Sequence, residues 1–161
     1  MRIHFEPQLR ASRGKLVSGG QSGSPVHAGS FIRERKIILD SELLAHAPEL
    51  MRILTHELFH FVWRKLDNAT RLSWEGLVRG QLSSAGELGW SAEWRKQAVT
   101  PASGDARNRR WREYLCESFC DSAAWYYSGG ARHPEHTLPA KFRRARRQWF
   151  SQLLSERRLP L

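Results

Sequence analysis

The chain has 161 residues, 40% of them hydrophobic, with seven Trp and seven Phe; this supports one core of ordinary size and excludes a wholly disordered chain. Its formal charge of +10 favours an anionic partner such as nucleic acid without requiring one. Two cysteines are too few for a disulfide scaffold, and no window approaches the ~20 apolar residues of a membrane span, so a single soluble, cytoplasmic domain over 1–161 with no membrane partner is expected.

Residues 2–6 alternate apolar and polar and predict a short strand. Residues 10–30, rich in Gly, Ser and Arg, read mostly as loop, with a turn-linked strand at Lys15–Ser18. Phe31–Leu39 has strand composition and stops at Asp40-Ser41, a helix-start signal. Pro48 then introduces the strongest helix, Glu49–Lys65, whose apolar residues cover nearly its whole circumference and predict burial on most sides. Asp67-Asn68 ends it. Shorter helices are expected over 73–81 and 92–97, the second capped by Ser91, and 100–108 reads as a loop. A long helix runs from Arg109 to Ser128 and stops at Gly129-Gly130. Pro139 opens a last helix to Glu156, with Phe142, Ala145, Trp149 and Leu153 at helical spacing and Arg143, Arg144, Arg146 and Arg147 between them. The expected fold is α+β: a small, partly antiparallel sheet from the N-terminal third, covered by the Glu49–Lys65 helix and those after it.

That central helix carries His56-Glu57-Leu58-Phe59-His60, an H-E-x-x-H motif. Residues i and i+4 project from one helix face a turn apart, so two imidazoles can reach a single Zn²⁺ at about 2.0–2.1 Å. Glu57 points elsewhere, too far round to ligate, and is placed to take a proton from a water that the metal activates. Two histidines and a glutamate in so apolar a helix are costly unless they have partners. A catalytic zinc takes a third protein ligand, for which Glu117 on the long helix is the first candidate; Glu75, Asp121 and the pair His133 and His136 are its rivals. Asp121, one turn beyond Glu117, can accept the Nδ1–H of a ligand histidine and fix its tautomer. Cys116 and Cys120 read as small packing residues of that helix rather than as ligands.

A strand, an H-E-x-x-H helix and a later helix with E-x-x-x-D (Glu117 to Asp121) together resemble the gluzincin branch of the zincin metallopeptidases, and the short length is similar to the compact ImmA/IrrE-like zincins. The resemblance covers about residues 31–128, leaving 139–156 as a basic C-terminal helix. It implies a zinc metallopeptidase acting on a protein or peptide, with His56, His60 and Glu117 as ligands, Glu57 as general base and Asp121 behind a ligand histidine. It also places Phe31–Leu39 along the cleft, where an extended peptide adds by β-pairing. The third histidine of the metzincins is absent after His60. Tyr114, Tyr126, Tyr127, His133 and His136 stay open as oxyanion donors. The competing reading is a non-proteolytic zinc protein whose Arg-rich surface, centred on Lys141–Arg147, binds nucleic acid.

Overall fold

The computed structural model describes residues 1–20, 22–99, 108–156 and 158–159. Six strands fall in the first forty residues: β1 (Arg2–Glu6), β2 (Arg10–Ser12), β3 (Lys15–Val17), β4 (Ser24–Pro25), β5 (Ala28–Phe31) and β6 (Lys36–Asp40). They form two three-stranded sheets, ordered β1-β6-β5 and β3-β2-β4. The β2–β3 hairpin turns at Arg13-Gly14, where both residues have positive φ (49° and 75°), the backbone of a two-residue turn that matches strand twist. One expectation needs correction. Phe31–Leu39 is not one strand: Ile32–Arg35 is a turn closed by Glu34 N–H to Phe31 O and Arg35 N–H to Ile32 O, because the four successive charged residues Arg33 to Lys36 cannot sustain period-2 burial. The first sheet is partly antiparallel, as expected: β1 runs parallel to β6 and β5 antiparallel to it.

Asp40 joins sheet to helices. Its Oδ1 accepts from Glu42 N–H at 2.9 Å, capping a 3-10 turn at Ser41–Ala45, and its Oδ2 accepts from Leu9 N–H at 2.8 Å. Then come α1 (Ala47–Lys65), with proline in its first turn, α2 (Asn68–Arg79), α3 (Trp90–Gln97), α4 (Arg109–Tyr127) and α5 (Ala140–Glu156). α2 starts five residues before expectation because Asp67, read as the end of one helix, also caps the next through Thr70 N–H at 2.8 Å. The expected loop at 100–108 lies outside the described residues except for Asn108, which caps α4. No helix is long and apolar enough to cross a membrane among the described residues.

α1 is packed on two sides, which explains its apolar circumference. One side meets the first sheet through Phe61, against Ile37, Leu39 and Leu43. The other meets α2, α4 and α5 through Phe59 and Val62, against Trp74, Phe119 and Phe150. Each such large apolar side chain contributes on the order of 1.5–3 kcal/mol on burial. Of the arginines of α5, Arg146 does not belong to an Arg-rich surface: it is fully buried, its guanidinium bonded to Glu87, Gln81 and Ser122.

Candidate metal centre

α1 and α4 face each other, and each presents an i,i+4 pair of polar side chains at their contact. From α1 come His56 and His60, with Nε2 atoms 3.2 Å apart. From α4 comes Glu117, whose Oε2 lies 3.3 Å from His56 Nε2 and 3.9 Å from His60 Nε2. A tetrahedral ion with ligands at about 2.0–2.2 Å spaces its donors by roughly 3.3–3.5 Å, so these atoms fit a divalent metal with little adjustment.

Asp121 decides how His56 presents itself. Its Oδ1 lies 2.7 Å from His56 Nδ1; a carboxylate only accepts, so Nδ1 carries a hydrogen and Nε2 is the nitrogen turned to His60 and Glu117. Oδ2 accepts from Ala92 N–H at 2.9 Å, in the first turn of α3. Asp121 thus caps α3 from another helix. The expected cap, Ser91, does not act: the N-cap is Gly89, which has no side chain to offer. Gly89 is needed there because a Cβ would overlap the Asp121 carboxylate.

The electrostatics draw positive charge to these donors. Burial pulls the His56 imidazole down, yet Asp121, Glu117 and Glu57 outweigh it and hold the group well above its usual range. Burial likewise lowers His60, but Cys116, 3.4 Å from His60 Nδ1, and Glu117 lift it to about 9. Burial raises the Glu117 carboxyl while the hydrogen bond with His56 and the charge of His60 bring it below the ordinary carboxylate value. A proton or a metal cation meets the same need.

Glu57 does not point away as expected: its carboxylate lies close enough to form a metal group with both histidines, all three ligand atoms falling within 4.8 Å of one another. The Ser30 hydroxyl of β5 donates to Glu57 Oε2 at 2.5 Å and also lies 3.1 Å from the Glu57 carbonyl. His56, Glu57 and Asp121 open onto a cleft of about 490 Å³, walled by Pro25–Ala28 on one side and Trp90-Ser91 on the other. The Trp90 ring, largely exposed, stacks on Trp94. Arg52, one turn before His56, closes one end, bonded to Glu49 and Glu135.

Among the rivals for third ligand, Glu75 is engaged by Trp111 and Arg79 on α2. Asp121 stands behind His56, and His133 pairs with Glu49 at 3.6 Å. Of the tyrosines held open as oxyanion donors, Tyr114 donates to Glu87 in the core, Tyr126 meets Ser151, and Tyr127 packs on Phe59. None of the three lines the cleft. The strands that reach the cleft are β4 and the start of β5 at Ala28, not the expected Phe31–Leu39, and β5 is an edge strand of its sheet. Ser30, Arg52 and Gly89 escape a motif search because each has a contact distant in sequence, with Glu57, Glu135 and Asp121 respectively. Comparison with protein-family models, curated proteins and solved structures gives no match for this chain.

Proposed function

We propose that the chain is a zinc-dependent peptidase of zincin type, a single catalytic domain that hydrolyses a peptide bond with Glu57 as general base. One observation carries this reading: two imidazole nitrogens and a carboxylate oxygen converge within 3.9 Å, and a further carboxylate, Glu57, stands beside them on an open cleft. His56, His60 and Glu117 would hold the ion. Zinc bound there supplies Lewis acidity, bringing the pKa of water toward ~7 and polarising a carbonyl. Glu57 receives the proton of the attacking water and returns it to the departing amine. Ser30 fixes the direction of that carboxylate, and Asp121 holds His56 in the Nδ1–H tautomer. The free edge of β5 offers backbone groups to an extended peptide.

Elemental analysis of the purified chain is expected to find about one zinc per chain, as one such site holds, lost in His60→Ala and Glu117→Ala. Glu57→Gln keeps its zinc, and its peptide hydrolysis falls about 10²–10⁴-fold, the range for a general base. A wild type that takes up no zinc on reconstitution, or a Glu57→Gln chain that cleaves normally, sinks the proposal. The nucleic-acid alternative draws less support: Arg146, at the centre of the basic helix, is spent on a buried ion pair.

A further inference from the structure

We propose that Cys116, Cys120 and His60 form a second metal site, fitted to a thiophilic ion of the Cd²⁺ or Cu⁺ class, on the other ring nitrogen of His60. Cys116 and Cys120 sit i,i+4 on α4, the same spacing as the two histidines on α1, and the two pairs meet at the α1–α4 contact. The Cys116 sulfur is 3.4 Å from His60 Nδ1, and all three donor atoms lie within 4.8 Å of one another. Thiolates bound at about 2.3 Å to a tetrahedral ion stand roughly 3.8 Å apart, a spacing close to that of donors already within 4.8 Å of one another. Thiolate donors select soft ions over the harder ones that carboxylates hold.

One donor opens to solvent. Cys116 lines a groove of about 500 Å³ that shares no residue with the cleft. Arg64, Arg71, Arg109 and Arg112 line it together with Glu75 and Glu113, Arg109 being paired with Glu113, so the lining carries a net positive charge of two toward the thiolates.

The shared imidazole couples the two sites. Neutral histidine has one lone pair and one N–H. With an ion on Nε2, Nδ1–H faces the Cys116 sulfur. Binding of an ion by the thiolates releases both thiol protons to solvent and takes the Nδ1 lone pair, so the ring proton moves to Nε2 and the first site loses a donor. The second site stands on its own donors, whereas this antagonism rests on the zinc reading above.

The test is a Cd²⁺ titration of the reduced, metal-free full chain, followed by its ultraviolet thiolate-to-cadmium band. Wild type and Glu117→Ala should both develop the band to one ion per chain, which separates this site from the ligand set that Glu117 completes. Cys116→Ala and Cys120→Ala, which keep small apolar packing, should lose it with circular dichroism unchanged. His60→Ala should weaken it by on the order of tenfold or more. In zinc-loaded protein, one equivalent of Cd²⁺ should release zinc from wild type and not from the double Cys→Ala chain. A wild type without the band, or a band whose affinity ignores His60→Ala, overturns the three-donor site. Zinc release that does not depend on the cysteines overturns the coupling.

Discussion

At the scale of single residues, a hydroxyl and a carboxylate set the reach of the proposed base. Glu57 is buried and its carboxylate accepts from the Ser30 hydroxyl, so removing that hydroxyl leaves the carboxylate free to turn from the cleft. Hydrogen bonds to charged groups are worth about 1.5–3 kcal/mol, and Ser30→Ala should therefore lower kcat by roughly tenfold or more, with KM and zinc content unchanged. Ser30→Thr, which keeps the hydroxyl, should restore most of the rate. Steady-state kinetics of the two variants decide this, and equal kcat in Ser30→Ala and wild type would show that Ser30 merely packs. Neither Ser30 nor its role was legible beforehand. A lone serine in a Gly- and Ser-rich stretch carries no pattern until β5 is folded against α1.

At the scale of elements, the centre is a meeting of two helices that a third one locks. His56 and His60 were legible because both belong to one helix and its periodicity alone aligns them. Glu117 was only the first of several candidates, since choosing it over Glu75 or His133 depends on which faces of α1 and α4 meet. The path from Gly89 through Asp121 to His56 could not be read at all. There α3 lends its first turn to Asp121, and the missing Cβ of Gly89 makes the room. Gly89→Ala should push the Asp121 carboxylate off both His56 Nδ1 and Ala92 N–H. Zinc affinity is then expected to fall about 10–100-fold, as when the hydrogen-bond partner of a ligand histidine is lost. Competition against a chromophoric chelator measures it, and an unchanged affinity would mean that Asp121 does not orient His56.

At the scale of the whole molecule, a buried ion pair ties the C-terminal helix to the segment before α3. Arg146 donates to Glu87 Oε2 at 2.7 Å and to Gln81 and Ser122; Tyr114 also donates to Glu87, and Lys96 lies 3.3 Å from it. Burial raises the Glu87 carboxyl, but Arg146, Tyr114 and Lys96 outweigh it and hold it below its ordinary value. A depressed folded pKa gives stability that is complete above the unfolded value of about 4.3 and is lost as pH falls through the folded one. Glu87→Gln leaves Arg146 buried without its anion and should cost about 3–5 kcal/mol at neutral pH. Its stability should also fall less on acidification than that of the wild type. Urea unfolding across pH 3–7, a window set around that unfolded carboxylate value, reads both effects. Parallel curves for the two chains would assign the acid sensitivity to other carboxylates.

What the sequence determined by itself is local: a helix with two histidines on one face, the strand at Arg2–Glu6, the helical spans of α1, α4 and α5 to within a few residues, and α+β as the class. These follow from periodicity and chain punctuation, which act over a few residues. Tertiary structure alone decided which carboxylate faces the histidines, that β5 rather than β6 borders the cleft, and that Arg146 points inward. Each of these depends on side chains brought together from distant parts of the chain, and a face is chosen only when two elements bury it against each other.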